Sequence, residues 1–376
     1  MKEIYLDHAA TSPMSGSARD EYLRVSALPG NPSALHAAGV AVRKEIEAAR
    51  KTVANAFGAQ PDEIIFNSGG SEGNNQAING FAALRARRAK RIIVGEGEHP
   101  SVENTANALS KYGFEVIKIP TKGGKIDVSA LDAALAEPTA FVCFMLANNE
   151  TGALYDIAAV RDALNRAGSD ALFHCDAVQA FLKTPDVKLI KKYCDSASVS
   201  AHKVGGPKGV GAMYVKKGLK LPPLINGGGQ ERGYRSGTEN AAGIAAFAAA
   251  VRDHDDTGPE RLKALRGAFV DSLIGSDCGA VVREPERRVD SIVSISVPGV
   301  RSEVMLNALS AQGVYVSAGS ACAAGRGGTS RVLAAYGVAG AELESALRIS
   351  FGAENTTEEC VYAAEVIAET AKRLRR

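Results

Sequence analysis

Lys203 stands in Ser200-Ala201-His202-Lys203, after the apolar stretch Asp195 to Ser198 and before a run of glycines and one proline (Gly205, Gly206, Pro207, Gly209, Gly211). A lysine bonds a carbonyl as an imine only once its ammonium has lost a proton. A strand end beside a second basic group and a tight glycine turn can lower its pKa that far. Upstream, Asp176 closes another apolar stretch in His174-Cys175-Asp176-Ala177-Val178-Gln179. An imine-forming lysine and a separate apolar-flanked carboxylate are the two fixtures required by a pyridine aldehyde cofactor. The carboxylate keeps the ring nitrogen protonated, and the pyridinium then accepts electrons. Taken alone, Asp176 reads equally well as a strand-end cap of a following helix.

Phosphate is the second requirement. Glu63-Ile64-Ile65-Phe66 is followed by Asn67-Ser68-Gly69-Gly70-Ser71-Glu72-Gly73-Asn74-Asn75 and a helical stretch. A strand, a Gly/Ser turn and a helix start place free backbone N–H groups around an anion; a plain helix cap is the competing reading. Two other phosphate motifs fail on inspection. Gly95-Glu96-Gly97-Glu98-His99-Pro100 has Pro100 where a dinucleotide loop needs its third glycine, and Gly205 to Gly211 has lysine and glycines in the wrong order for a Walker loop. Together with Lys203 and Asp176, the turn at Ser68 to Gly73 points to pyridoxal 5'-phosphate. His99 and Gln179 also read as an ordinary turn residue and an ordinary helix residue; their joint placement with Lys203 in one expected pocket raises them.

Two further residues are candidates for substrate chemistry. Arg348, in Leu347-Arg348-Ile349-Ser350, is apolar-flanked on both sides. It reads either as a buried structural ion pair or as a bidentate clamp on a substrate α-carboxylate. Cys322 lies in Ser317-Ala318-Gly319-Ser320-Ala321-Cys322-Ala323-Ala324-Gly325-Arg326-Gly327-Gly328, with no apolar periodicity. A thiol in an accessible glycine-rich loop near Arg326 is a nucleophile candidate, and an incidental loop cysteine is the alternative.

The elements that must position these groups are legible as an alternation. Glu63 to Phe66, Arg91 to Val94, Phe114 to Ile119, Ala140 to Leu146, Ala171 to Cys175 and Asp195 to Val199 read as short strands of a sheet buried on both faces. Helical stretches lie between them. The clearest runs from Ala34 to Phe57, where Val42, Ile46, Ala49, Val53 and Phe57 share one face, with Ser33 as the expected start cap and Gly58 as the end cap. The alternation predicts an α/β fold with a mostly parallel central sheet. Ligands in such folds bind at the carboxyl ends of strands, which would bring Ser68, His99, Asn149, Asp176 and Ser200 together. A helix over Glu239 to Val251 and a break at Thr257-Gly258-Pro259 precede a smaller α+β region with a strand near Ser291 to Val297. The expected division is a large cofactor-binding domain over 15–257 and a small domain from 1–14 and 258–376.

With 376 residues the chain can bury a large core in two domains. The formal net charge of +2 gives no electrostatic case for nucleic acid or an anionic membrane. Lys372-Arg373-Leu374-Arg375-Arg376 reads as the basic last turn of a helix. No apolar run reaches the ~18 residues of a membrane span, and Met1 to Tyr5 lacks a signal-peptide core; the expectation is a cytoplasmic protein. Six cysteines (143, 175, 194, 278, 322, 360) occur without a C-x-x-C pair, which argues against disulfides and a metal site. All but Cys322 read as inert fillers.

At these residues the chain closely resembles the cysteine desulfurases, pyridoxal-phosphate enzymes of fold type I within the class V aminotransferases. The resemblance spans nearly the whole length: Tyr5 to Thr11, Gly30 to Ser33 with His36, Ser68 to Asn75, Glu98-His99, Asn148 to Glu150, Asp176 with Gln179, Ser200 to Lys203, Gly227 to Glu231, Arg235 to Thr238, Ser317 to Cys322 and Leu347 to Ser350. The Ser-Ala-Gly-Ser-Ala-Cys loop is similar to that of the branch that feeds iron–sulfur assembly and tRNA thiolation.

The resemblance implies that Lys203 bonds the cofactor and later moves protons, that His99 stacks on the ring, and that Asp176 and Gln179 meet the ring nitrogen and phenolic oxygen. It implies phosphate binding by Gly70, Ser71, Ser200 and His202, with Thr238 supplied by the partner subunit of a homodimer. Asn149 and Arg348 would hold the substrate carboxylate with Asn31 nearby, and Cys322 would accept sulfur. The implied reaction takes L-cysteine to L-alanine and a Cys322 persulfide, which passes its sulfur to an acceptor such as an iron–sulfur scaffold protein. His8 stands where many relatives carry Asn and Tyr155 where many carry Gln, and the stretch after Cys322 is unusually plain. A related pyridoxal enzyme (a selenocysteine lyase or a transaminase) and a cofactor-bound scaffold are the alternatives; a transaminase has no need of Cys322.

Overall fold

The computed structural model describes residues 3–254, 257–319 and 330–375. Cys322 and its neighbours 320–329 lie outside the described residues, so the sequence reading of that loop rests on sequence alone.

Twelve strands are described: β1 (Ile4–Tyr5), β2 (Ile64–Asn67), β3 (Arg91–Gly95), β4 (Glu115–Ile119), β5 (Thr139–Cys143), β6 (Leu172–Asp176), β7 (Ser196–Ser200), β8 (Gly211–Val215), β9 (Val281–Val282), β10 (Ile292–Ser296), β11 (Val314–Tyr315) and β12 (Ala346–Ser350). Seven form one sheet in the order β2-β8-β7-β6-β5-β3-β4. The pairings β3–β4, β3–β5, β5–β6 and β6–β7 are parallel, and β8 runs antiparallel to both β2 and β7. Because β8 alone reverses, β2 ends at the same edge as β3, β5, β6 and β7. That edge carries Gly70, Ser71, His99, Asp176, Gln179, Ser200, His202 and Lys203, the phosphate and ring candidates other than Thr238.

The strands read as continuous apolar runs because both faces are covered, and alternate residues enter different cores. Ile64, Phe66, Ile93, Val142, Ala212 and Tyr214 pack with Ile46, Val53 and Phe57 of the helix Ala37–Phe57. Ile65, Ile92, Val94, Phe141, Met213 and Val215 pack with Ile78 and Phe81 of the helix Gly70–Arg85. This is the period of two in a strand that is buried on both sides. Strand bounds fall within a residue or two of the sequence expectation, except that Ala140 to Leu146 leaves regular structure after Cys143. β8 was not expected: its glycine-preceded run lies next to the Lys203 turn and reads as its continuation.

The helix expected from Ala34 starts at Ala37. Its cap is His36, whose Nδ1 accepts from Gly39 N at 3.3 Å, and not Ser33. Asn31 takes up the preceding residues in a local turn, its Oδ1 accepting from Ser33 N and its carbonyl from Ala34 N. Gly58 ends the helix in the left-handed region as expected. Thr257-Gly258-Pro259 opens the helix Gly258–Gly275 with proline in its first turn, where a missing N–H costs nothing.

A third apolar core is separate. Ile4 and Leu6 join Leu265, Phe269, Val293, Ile295, Leu347, Ile349 and Ile367, around the three strands β12-β10-β9 and the pair β1–β11. Bridges from Asp7 to Ser350 and from Ser317 to Arg348 bring the N-terminal segment and the stem of the cysteine loop to β12.

Candidate active site

The turn after β2 builds an anion cradle. Asn67 Oδ1 accepts from Gly69 N at 3.0 Å, and Glu72 Oε2 accepts from Ser68 N at 3.0 Å. Gly69 sits at φ +147°, which few side chains tolerate, and among the described residues no side chain caps the helix Gly70–Arg85. A Cβ on Gly70 would lie 2.5 Å from Val178 Cγ2. The helix N-terminus thus opens into a cavity of about 400 Å³ lined by Gly69, Gly70, Ser71, Ser200, His202 and Lys208. Uncapped N–H groups at a helix start, with serine hydroxyls and a lysine beside them, suit a phosphate. Glu72 also lines the space, but its carboxylate is held by Arg235 Nε at 3.0 Å. Burial and the neighbouring Lys203, Lys208 and Lys183 push His202 down to about 4, so its ring is neutral and its Nδ1 bonds Thr11 Oγ1 at 3.1 Å.

Next along the sheet edge is a buried polar chain that sequence reasoning missed. Asp176 ends β6. Its Oδ1 accepts from Val178 N at 3.0 Å and its Oδ2 from Asn74 Nδ2 at 2.7 Å. The same Nδ2 donates to Ser101 Oγ at 2.9 Å, and Ser101 Oγ bonds His99 Nδ1 at 2.7 Å. Asn74 Oδ1 faces His174 Nε2 at 2.9 Å, and His174 Nδ1 faces Ser196 Oγ at 2.8 Å. The tautomer follows. Asn74 spends its NH₂ on Asp176 and Ser101, so Nε2 of His174 must donate and Nδ1 must accept from the serine hydroxyl. Complete burial pushes His174 down to about 3 and keeps it neutral. His99 caps the helix Pro100–Ala108, its Nδ1 accepting from Ser101 N at 3.1 Å; burial lowers it, against the pull of Asp176. Asn74 and Ser101 lie inside or beside motifs read from the sequence, but Asp176 and His174, the partners of Asn74, are 102 and 100 residues away and left no local signal.

Lys203 closes the short turn Ala201–Lys203 after β7. Its Nζ donates to Ala9 O and Ala10 O, both at 2.6 Å. Gln179 Nε2 donates to the same Ala9 O at 2.8 Å, so the N-terminal segment joins these two candidates. Arg348 is buried. Its Nη2 pairs with Asp7 Oδ1 at 2.7 Å and its Nη1 donates to Asn149 O at 3.0 Å, while its Nε has no hydrogen-bond partner among the described residues. The structure shows the ion-pair reading of Arg348, with Asp7 as its carboxylate; the substrate-clamp reading is a proposal.

Asn31 and Thr238 are exposed and contact none of these groups. The loop that carries Thr238 is nonetheless firmly anchored. Glu231 is buried against Arg50 in a two-pronged pair at 2.7 Å and also accepts from Phe66 N at 2.7 Å. Cys143, Cys175, Cys194, Cys278 and Cys360 are all buried, and burial pushes the Cys360 thiol up to about 12. Among the described residues no cluster of His, Cys, Asp and Glu is arranged to hold a metal, and no helix is long and apolar enough to cross a membrane.

A doubly covered α/β sheet with a lysine, a carboxylate, a histidine ring and an anion cradle along one edge defines a fold type I pyridoxal-phosphate protein. The chain belongs to the class-V aminotransferase family, whose model matches residues 4–362. It is 39% identical to the putative cysteine desulfurase IscS 1 of Bacillus subtilis (strain 168), over 100% of both chains. It is 35% identical to cysteine desulfurase IscS of Methanosarcina thermophila, over 100% of this chain and 93% of that one. A solved NifS-like protein superposes with a TM-score of 0.91 at 34% identity, covering 99% of this chain and 100% of the other. The structure of SspA in complex with cysteine gives 0.82 at 30% identity, covering 93% and 99%. Pyridoxal phosphate is the cofactor of this family, and the residues present fit it: the cradle is closed to any Cβ at Gly70, and the Asp176 carboxylate, the acceptor for a ring N–H, is already oriented.

Proposed function

We propose that this protein is a pyridoxal-phosphate-dependent cysteine desulfurase that converts L-cysteine to L-alanine and passes the sulfur onward through Cys322. The observation that carries the reading is the single sheet edge on which Lys203, Asp176, His99 and the uncapped start of the helix Gly70–Arg85 converge. Full-length similarity to proteins named cysteine desulfurase supports the substrate.

Gly70, Ser71, Ser200 and His202 would hold the phosphate, His99 the ring face, Asp176 the ring nitrogen and Gln179 the phenolic oxygen. When bound, the cofactor supplies an electron sink for bonds broken at the substrate Cα and Cβ. Lys203 would have two roles: its amine would hold the cofactor aldehyde, and as a free amine it would take and return the substrate Cα proton. Arg348 and Asn149 orient the substrate carboxylate, with Asn31 nearby. The Cys322 thiolate forms an S–S bond to the substrate sulfur as the C–S bond breaks, and the carbon skeleton takes a proton and leaves as alanine. An acceptor protein, of the iron–sulfur scaffold kind, then receives the sulfur. The exposed Thr238 on its anchored loop supports a homodimer in which it completes the phosphate site of the partner subunit. The separate core formed by Ile4 and Leu6 with residues of the C-terminal third supports a division into 15–257 and 1–14 with 258–376, and we assign the protein to the cytoplasm.

Mass spectrometry of the purified protein after exposure to cysteine tests the reading. One added sulfur is expected, on the peptide bearing Cys322. Borohydride treatment is expected to fix the cofactor to the peptide bearing Lys203. Sulfur on another peptide, or cofactor fixed elsewhere, refutes the corresponding role.

A further inference from the structure

Lys183 is a second buried lysine beside the site. It is 8% exposed, and its Nζ donates to Gln179 Oε1 at 3.2 Å. Among the described residues no ion pair joins it to a carboxylate. The positive charges of Lys203 and Arg348 act on it, and its own acts on His8 and His202. The preceding residue, Leu182, has φ +61°. A leucine in the left-handed region is strained by its Cβ. That conformation directly precedes Lys183, at the end of the turn Ala177 to Phe181, where Phe181 N donates to Ala177 O at 2.9 Å.

We infer that Lys183 is a positioning residue for the cofactor, holding the Gln179 amide so that its Nε2 is presented to the site as a donor. An ammonium or amine N–H facing Oε1 leaves only one sensible orientation of the amide: the oxygen lies toward Lys183 and the NH₂ toward Ala9 and Lys203. One Nε2 hydrogen serves Ala9 O at 2.8 Å, and the second is available for an anionic oxygen. Without Lys183 the amide oxygen loses its donor and the Ala9 carbonyl alone fixes the amide, so Nε2 is held less firmly toward the phenolic oxygen. Burial, with the neighbouring Lys203 and Arg348, pushes Lys183 down to about 7, so the site tolerates this amine without a counter-carboxylate.

The inference rests on the assignment of Gln179 to the phenolic oxygen, and its test separates the two. The purified full chain is titrated with pyridoxal phosphate, and the visible absorbance of the bound cofactor is followed against pH for wild type, Lys183→Met, Gln179→Leu and the double variant. A donor on the phenolic oxygen favours its anion, so Lys183→Met is expected to raise the spectral midpoint by about one pH unit, the scale of one lost hydrogen bond. It is also expected to weaken cofactor binding about tenfold. In the Gln179→Leu background the same substitution should move neither quantity. An unmoved midpoint in the single variant, or an equal movement in both backgrounds, overturns the inference, since the second outcome means that Lys183 acts by its charge and not through Gln179. Lys183→Gln serves the same comparison if the Met variant does not fold. Wild type that develops no visible band overturns the functional reading and this inference together.

Discussion

Asn74→Ala is the sharpest probe of the ring-side network. Asn74 is 1% exposed and makes three side-chain bonds: to Asp176 at 2.7 Å, to Ser101 at 2.9 Å and from His174 at 2.9 Å. A hydrogen bond to a charged group contributes about 1.5–3 kcal/mol, and an orphaned buried donor such as His174 N–H costs about 1–3 kcal/mol. The terms overlap, because all partners share one side chain, and the expected loss is about 3–5 kcal/mol. Asp176 retains only the Val178 N–H bond and loses its fixed orientation, so cofactor affinity should fall by about ten- to a hundredfold, the equivalent of about 1.4–2.8 kcal/mol. Urea titration of the cofactor-free chain measures the first quantity, and a pyridoxal-phosphate binding titration the second. His174→Phe supplies the control. If the chain from Ser196 to Asp176 acts as a unit, the double variant should cost less than the sum of the single ones by about 0.5–3 kcal/mol. A cost below about 1 kcal/mol for Asn74→Ala, or strict additivity with His174→Phe, would refute the network argument.

Other outcomes follow from the same geometry. His174 is neutral in the folded chain because its pKa is held at about 3, while the unfolded value is near 6.5. Between these values the unfolded chain binds the extra proton. Wild-type stability should therefore fall as pH drops through that window, by at most about 5 kcal/mol from this group, and the difference between wild type and His174→Phe measured from pH 7 to pH 3 isolates it. Arg50→Met leaves Glu231 buried without its two-pronged partner and should cost about 3–5 kcal/mol in urea titration; a cost below about 1 kcal/mol would show that the pair does not anchor the Thr238 loop. Gly70→Ala drives a methyl toward Val178 Cγ2 and should lower pyridoxal-phosphate affinity at least about tenfold, with unchanged affinity refuting the cradle. Cys322→Ser should bind cofactor normally and gain no sulfur on exposure to cysteine; alanine formation at the wild-type rate would remove Cys322 from the reaction.

Much of this site was legible along the chain because its chemistry is carried by short segments at strand ends. The residues around Asp176, Lys203 and Gly70 are each local in sequence, and the short, fully buried strands before them mark where each segment emerges. The α/β alternation and the family followed from the same segments. What the chain could not show is which polar atoms satisfy one another. The Asn74–His174–Ser196 chain, the Arg50–Glu231 pair and the Lys183–Gln179 contact join residues on different elements or across a turn whose strained Leu182 has no sequence mark. Arg348 was open between an ion pair and a substrate clamp, and only folding showed that Asp7 reaches it. Residue type and local spacing determine what chemistry a side chain can perform. Buried hydrogen bonds decide which way it points, and they form only when distant segments are packed together out of water.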